Sequence, residues 1–204
     1  MNYNWYYDSL HYRANETDKT IIDLWNTVSA PPAPELKSVS VDPKASALLI
    51  LDMETTICKN PRCTASISNI NKLLIQARKN NMLVVYSLTH IGNPQDITKQ
   101  LAPMPGDPIV KSNVDKFYET NLEEILHKKG IRTVIATGFA ANGAVLHTAT
   151  SAAFRGFNVI VPVDCMSTAN ILYSEQYTAW HMLNSPGTRD KAVLSKVNLI
   201  NFLL

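Results

Sequence analysis

Residues 47–52 read Ala-Leu-Leu-Ile-Leu-Asp, an unbroken apolar run that ends in an aspartate. Runs of this kind are typical of strands that are buried on both faces of a parallel sheet. Similar patterns predict further strands at residues 82–88, 109–112, 131–137, 158–163 and 192–195. Helical patterns alternate with them at residues 64–80, 120–129, 142–155 and 174–183. This alternation predicts an α/β fold, a three-layer α/β/α domain whose mostly parallel, Rossmann-like sheet has about six strands.

The first 44 residues differ in character from the rest of the chain. A short helix is predicted at residues 17–28, and a proline-rich connector follows it. Aromatic side chains need surface to cover, so we interpret residues 1–44 as an arm that packs on its own domain or on a neighbouring subunit. Residues 45–204 then form the main domain. The alternative is that an arm residue lines a substrate pocket. The aromatic residues of the arm are Tyr3, Trp5, Tyr6, Tyr7, Tyr12 and Trp25.

The composition limits the classes of function that are open to this chain. Of its 204 residues, 46% are hydrophobic and 18% charged, which excludes wholesale disorder. The net charge of +2 is too balanced for a nucleic-acid or membrane-surface protein. No apolar stretch approaches the ~20 residues that a membrane span needs. Three cysteines, an odd number, are not typical of a secreted disulfide framework. No secretory signal stands out, so we expect a cytoplasmic protein.

The predicted strands place polar residues at one edge of the sheet. Open parallel sheets bind ligands at the carboxyl ends of their strands, where Asp52 and Lys111 are expected. Residues 138–144 join the next strand to a helix, whose N-terminus carries unpaired N–H groups and partial positive charge. Such a terminus can stabilise a developing anion. The small residues of this turn either let a substrate approach the backbone or let the helix pack tightly on the sheet.

From about residue 45 to residue 200, the chain resembles the isochorismatase-like hydrolases, also called the cysteine hydrolase superfamily. That resemblance implies an Asp-Lys-Cys triad, a small-molecule substrate and a homodimer or homotetramer. It also implies a cis peptide between Phe139 and Ala140, which shapes an oxyanion pocket from backbone N–H groups. Three segments carry the resemblance: Ala47–Met53; Ile109–Lys111 with Phe117 and Thr120–Leu122; and Thr137–Ala149 with Arg155–Gly156 and Val161–Asp164.

By the resemblance, Asp52 and Lys111 are two members of the triad, but Ala144 stands where the nucleophilic cysteine is expected. A methyl group forms no thioester, so covalent amide hydrolysis is not open to this chain. One explanation is a natural branch like true isochorismatases, which lack the cysteine and cleave a vinyl ether by proton transfer and water addition. Asp52 would then be the general acid/base and Lys111 the orienting group. The others are an engineered cysteine-to-alanine change in a C–N amidohydrolase and an inactive small-molecule-binding pseudoenzyme. The resemblance also assigns substrate binding and the oxyanion pocket to the backbone of five residues, Phe139, Ala140, Ala141, Asn142 and Gly143.

Several nearby residues have two interpretations. Glu54 replaces a glutamine common in the family. Its carboxylate either faces solvent or faces the pocket, where repulsion between Glu54 and Asp52 would raise the pKa of one of the two carboxyl groups. His147 either reaches the pocket or packs along its helix. Cys165 is either a packed thiol or an alternative nucleophile. The segment Thr55–Arg62 carries no Asp or His, so no metal and no cofactor is expected.

Overall fold

The computed structural model of the chain describes residues 19–203, which divide into a short N-terminal unit ending at Ala33 and a body from Pro34 onward. The body holds helices α2 (Pro61–Lys79), α3 (Leu122–Lys128), α4 (Leu146–Phe154) and α5 (Leu172–Asn184). Its strands are β1 (Val39–Val41), β2 (Ser46–Leu51), β3 (Leu83–Leu88), β4 (Ile109–Lys111), β5 (Thr133–Phe139), β6 (Asn158–Pro162), β7 (Met166–Ser167), β8 (Ala192–Ser195) and β9 (Ile200–Phe202).

The main sheet has seven strands, and all its pairings are parallel. Six strands run in the order β4-β3-β2-β5-β6-β8, and the two-residue β7 pairs with the end of β5. In register, Leu48 of β2 lies beside Val84 of β3 and Ile135 of β5. The predicted fold class is therefore confirmed.

The sheet separates two hydrophobic cores, as a three-layer architecture requires. Because alternate side chains of a strand point to opposite faces, Leu49 and Leu51 of β2 lie in one core and Leu48 and Ile50 in the other. The first core is covered by α3, α4 and α5, and the second by α2. All six residues of β2 are buried, which explains why its sequence has no polar alternation.

Helix boundaries follow local signals in the sequence. Asn60 caps α2 by accepting a hydrogen bond from the Cys63 N–H, and Pro61 stands at the first helical position. Gly130 ends α3 with a φ of 66°, a left-handed conformation that glycine adopts readily at the end of a helix. The predicted helix at 142–155 is shorter than expected, because residues 141–145 form a separate π-type turn before α4.

Three short strands were not predicted from the sequence: β1, β7 and β9. Strands β1 and β9 pair in parallel as a small second sheet, and the Lys37 N–H donates to the carbonyl of Leu194. Each has only three residues, too few to show a period of two. Residues 39–41, which the sequence assigned to the arm, therefore pair with the C-terminal part of the body. The division of the chain at residue 44 stays a prediction.

The predicted helix at 17–28 is present in part. Its described portion consists of α1 (Ile21–Leu24) and a 3₁₀ turn at Trp25–Thr27, where Trp25 is exposed. The other arm aromatics, Tyr3, Trp5, Tyr6, Tyr7 and Tyr12, lie outside the described residues. Within residues 19–203, no helix combines the length and apolar character that a bilayer crossing needs.

Candidate active site

Asp52 lies directly after β2, at the carboxyl edge of the main sheet. Its side chain is only 7% exposed. One carboxylate oxygen, Oδ1, accepts a hydrogen bond from the Ser87 hydroxyl of β3 at 2.6 Å. The other, Oδ2, forms an ion pair with Nζ of Lys116 at 2.8 Å. Asp52 therefore lies at the carboxyl end of its strand, as predicted, and the structure adds that its side chain is buried.

The lysine that meets Asp52 is Lys116, whereas the sequence predicted Lys111. The Lys116 side chain is fully buried, and its ammonium group also donates to the backbone carbonyls of Leu88, Ser112 and Asn113. Lys111 ends the three-residue edge strand β4, in which Val110 is buried and Lys111 exposed. Val110 packs in the first core, whereas Lys111 lies on the opposite face at the end of the edge strand, where it is exposed.

The segment that carries Lys116 is fixed on helix α4. The Lys116 N–H donates to the Thr148 hydroxyl at 3.1 Å, and the Ser151 hydroxyl donates to Asp115 at 2.5 Å. Within the segment, the Ser112 hydroxyl donates to the carbonyl of Tyr118. The path of the segment that carries Lys116 is therefore set by the α4 contacts, which no spacing rule in the sequence reveals.

The turn after β5 lies beside this segment. The predicted cis peptide between Phe139 and Ala140 is present. The carbonyl of Ala140 accepts the N–H groups of Gly143 and Val145, which closes the turn. A Cβ atom added to Gly143 would lie 3.9 Å from Cγ1 of Val114, so the turn and the lysine segment are neighbours.

Ala144 stands in the turn between β5 and α4 and is 3% exposed. Its methyl group belongs to the core cluster under α4. Asn142 of the same turn is exposed, while Ala141 is buried. Gly138, at the end of β5, has a φ of 124°, and a Cβ there would meet the Leu51 carbonyl oxygen at 2.0 Å. Only glycine lets the turn approach the end of β2 so closely.

Burial raises the pKa of Asp52 above its usual range. The charge and hydrogen bond of Lys116 and the hydrogen bond of Ser87 act in the opposite direction, and the negative charge of Glu54 adds to the increase. A carboxyl group in this state can hold a proton that it later gives to a substrate. The site thus contains a buried carboxyl group, a buried cation and a backbone turn.

The nearby residues with two interpretations are now placed. Glu54 is 1% exposed and bonds to Thr89, so it does not face solvent. His147 is exposed on α4. Cys165 is fully buried, and burial raises the pKa of its thiol, which disfavours the thiolate that a nucleophile needs. Among residues 19–203, no group of three or more His, Cys, Asp or Glu side chains could hold a metal ion.

Cys58 and Cys63 form a disulfide in the segment that follows Asp52. No feature of the sequence predicted that these two cysteines are paired. Cys63 lies in the first turn of α2. Disulfides are rare in cytosolic proteins, and the cytoplasmic localisation stays a prediction.

The family model for the isochorismatase domain matches residues 46–189, most of the chain. The chain belongs to the isochorismatase family. The isochorismatase-family match includes Asp52, the lysine segment and the turn at Ala144.

Three relatives illustrate the range of this isochorismatase family. The uncharacterized isochorismatase family protein YaaI of Bacillus subtilis is 29% identical over 148 residues, 60% of this chain and 80% of that protein. The secreted isochorismatase effector Isc1 of Verticillium dahliae is 32% identical over 141 residues, 62% and 74% of the two chains. A crystal structure of an isochorismatase from Pseudomonas putida KT2440 superposes with a TM-score of 0.69 at 19% identity, covering 89% of this chain and 98% of that one.

Proposed function

We propose that this isochorismatase-family hydrolase works without a covalent nucleophile, with Asp52 as its general acid and base. The observation that carries the proposal is a buried carboxyl of raised pKa at the edge of a site whose nucleophile position holds Ala144. An alanine leaves no route through a thioester. Proton transfer remains the chemistry that the side chains present can perform.

Lys116 is proposed as a positioning residue for Asp52. Its ammonium group has three N–H donors, and four oxygen atoms already face it, one from Asp52 and three from the backbone. It therefore holds the Asp52 carboxyl in place and does not bind substrate directly. Lys111 is exposed and is the better candidate for attracting an anionic substrate from solution. The Ala140 and Ala144 backbone N–H groups are proposed as donors to developing negative charge.

The substrate class that fits this arrangement is a small, polar or anionic enol ether. The protonated Asp52 carboxyl gives its proton to the methylene carbon of the vinyl group, which leaves an oxocarbenium ion. Water adds to the cationic carbon and returns a proton to the Asp52 carboxylate. The resulting hemiketal breaks its carbon–oxygen bond to the leaving alcohol and yields a ketone, so the net reaction consumes one water molecule.

The near-complete burial of Asp52 favours a second candidate, a protein that binds a small molecule without turnover. A turnover screen over isochorismate and simple amides separates the two. We expect enol-ether cleavage by the wild-type chain and a fall in kcat/KM of about 100-fold or more in Asp52→Asn. The matched control is Asp42→Asn, at an aspartate in the turn after β1, which should keep full activity.

A second pair of variants tests the position of the missing nucleophile. Ala144→Cys is compared with Ala153→Cys, a buried control on α4. Amidase activity that appears only in Ala144→Cys would identify a lost amidohydrolase nucleophile and reject the enol-ether proposal. Turnover by the wild-type chain that survives Asp52→Asn would reject Asp52 as the acid. Binding of isochorismate without any turnover would favour the second candidate.

A further inference from the structure

Glu54 is a buried carboxylate for which the proposed chemistry has no use. It is 1% exposed and lies two residues after Asp52. Carboxylates are almost never fully buried unless other groups bond to them. The partners of Glu54 therefore indicate why the chain keeps a charge there.

Both oxygen atoms of Glu54 bond to one residue on the neighbouring loop. Oε1 accepts the backbone N–H of Thr89 at 2.6 Å, and Oε2 accepts the Thr89 hydroxyl at 3.2 Å. Thr89 follows β3 directly, so its loop starts at the same sheet edge as Asp52. The side chain of Glu54 thus ties this loop to the segment that carries Asp52.

The backbone around Glu54 strengthens the same connection. Glu54 forms an antiparallel bridge with Ile97. The Thr98 N–H donates to the carbonyl of Met53 at 3.0 Å, and the Thr55 N–H donates to the carbonyl of Asp96 at 2.7 Å. Residues 89–98 are therefore held at both ends by residues 53–55, which follow Asp52 directly.

Gly92 shows how closely the loop packs on this carboxylate. A Cβ atom at Gly92 would lie 2.1 Å from Oε2 of Glu54 and 2.6 Å from Cδ. Real Cβ contacts are never that short, so a side chain at Gly92 would displace either the loop or Glu54. The fit is specific to glycine facing a carboxyl group.

We propose that Glu54 is a positioning residue of the Asp52 site, acting on Asp52 through its negative charge and on residues 89–92 through its hydrogen bonds. The inference rests on the proposed function, in which Asp52 gives and takes the proton. The charged groups that face Asp52 are Lys116 from the segment on α4 and Glu54 from its own segment. Lys116 favours the carboxylate form of Asp52, and Glu54 opposes it, so Glu54 helps Asp52 to keep its proton.

Two substitutions separate the charge of Glu54 from its hydrogen bonds. In Glu54→Gln, the amide oxygen can accept the Thr89 N–H and the amide nitrogen can donate to the Thr89 hydroxyl, so both bonds survive while the charge is lost. In Glu54→Ala, the charge and both bonds are lost. Glu35→Gln, at an exposed glutamate, is the matched control.

The measurement that needs no substrate is a titration of Asp52 by ¹³C NMR of its carboxyl carbon, with Asp52→Asn used to assign the signal. We expect the midpoint to move to lower pH in Glu54→Gln and to stay unchanged in Glu35→Gln. Hydrogen exchange reports on the loop: the Thr89 amide should exchange about tenfold faster or more in Glu54→Ala and at the wild-type rate in Glu54→Gln.

The pH profile of kcat/KM is the readout that a purely structural role would not move. An acid that must be protonated loses activity as pH rises through its pKa, so Glu54→Gln should shift that fall in activity to lower pH. An unchanged or raised Asp52 midpoint in Glu54→Gln overturns the inference, whatever the activity. If the Asp52 midpoint shifts to lower pH in Glu54→Gln but the wild-type chain turns over no enol ether, the role of Glu54 is supported and the proposed function is rejected.

Discussion

Replacement of Lys116 with methionine is expected to destabilise the folded chain severely. Like lysine, methionine has an unbranched side chain, and the two are of similar length. Methionine therefore fills the space of Lys116 but carries no charge. The Asp52 carboxyl then stays 7% exposed without its cation, and the carbonyls of Leu88, Ser112 and Asn113 lose their donor. Removal of one partner is far more harmful than removal of both, because the remaining charge is buried and uncompensated.

The size of the effect follows from this burial. Breaking a buried ion pair by removing one partner costs about 3–5 kcal/mol of the free energy of unfolding. A typical domain has about 5–15 kcal/mol in total. Asp52, whose pKa burial already raises, can take up a proton when Lys116 is absent, which places the expected loss near 3 kcal/mol at low pH and higher at neutral pH. With a slope of about 2–3 kcal/mol per M urea, the midpoint should fall by about 1–2.5 M.

The assay is urea unfolding followed by far-ultraviolet circular dichroism at several pH values. Lys111→Met is the matched control: its lysine is exposed, so its free energy of unfolding should stay within about 0.5 kcal/mol of wild type. In the double variant Lys116→Met with Asp52→Asn, the losses should be non-additive by about 1 kcal/mol or more. Equal losses in Lys111→Met and Lys116→Met, or additive losses in the double variant, would refute the reasoning.

Three further outcomes follow from the same site. Replacing Cys58 and Cys63 with serine should lower the free energy of unfolding by about 2 kcal/mol relative to the oxidised wild type, measured by chemical denaturation, and a reductant-treated wild type should match the variant. Gly92→Ala should destabilise the wild type but be tolerated in a Glu54→Ala background, since the added Cβ then meets no carboxylate; additive losses would contradict the contact. Burial raises the pKa of Asp52, so its contribution to stability is present at low pH and is lost as pH rises through the folded-state pKa. The free energy of unfolding of the wild type, measured by urea denaturation at several pH values, should therefore fall relative to that of Asp52→Asn as pH rises.

The strand pattern of the sequence was enough to predict the layers and the parallel sheet, because every strand that passes near the centre is long and apolar. All residues of β2 and all but the first of β3 are buried, and such runs leave little ambiguity. Strands β1, β7 and β9 have two or three residues each, too few to show the alternation of buried and exposed side chains that marks a strand. Their pairing depends on long-range contacts that local patterns do not contain.

At the candidate site, the strand-end rule located Asp52 and the 139–144 turn but selected the wrong neighbour for Asp52 among the lysines. The rule favours Lys111, because it ends a strand, yet the edge position of β4 turns that side chain to solvent. Lys116 lies in a segment without regular structure, and hydrogen bonds to Thr148 and Ser151 of α4 set its path. The one local signal was the buried Phe117 beside it, which indicates that the segment turns inward.

The frame of the site does not depend on the side chain at position 144. The turn is closed by backbone bonds to the carbonyl of Ala140, and the Lys116 ammonium is held largely by backbone carbonyls. Neither set of contacts would need a thiol. With an alanine at this position, the chain has no thiol nucleophile there, while the buried Asp52, its cation and the closed turn are in place. In the proposed reaction, Asp52 gives the proton and the turn stabilises the developing charge, which are the two tasks that addition of water to a protonated enol ether requires.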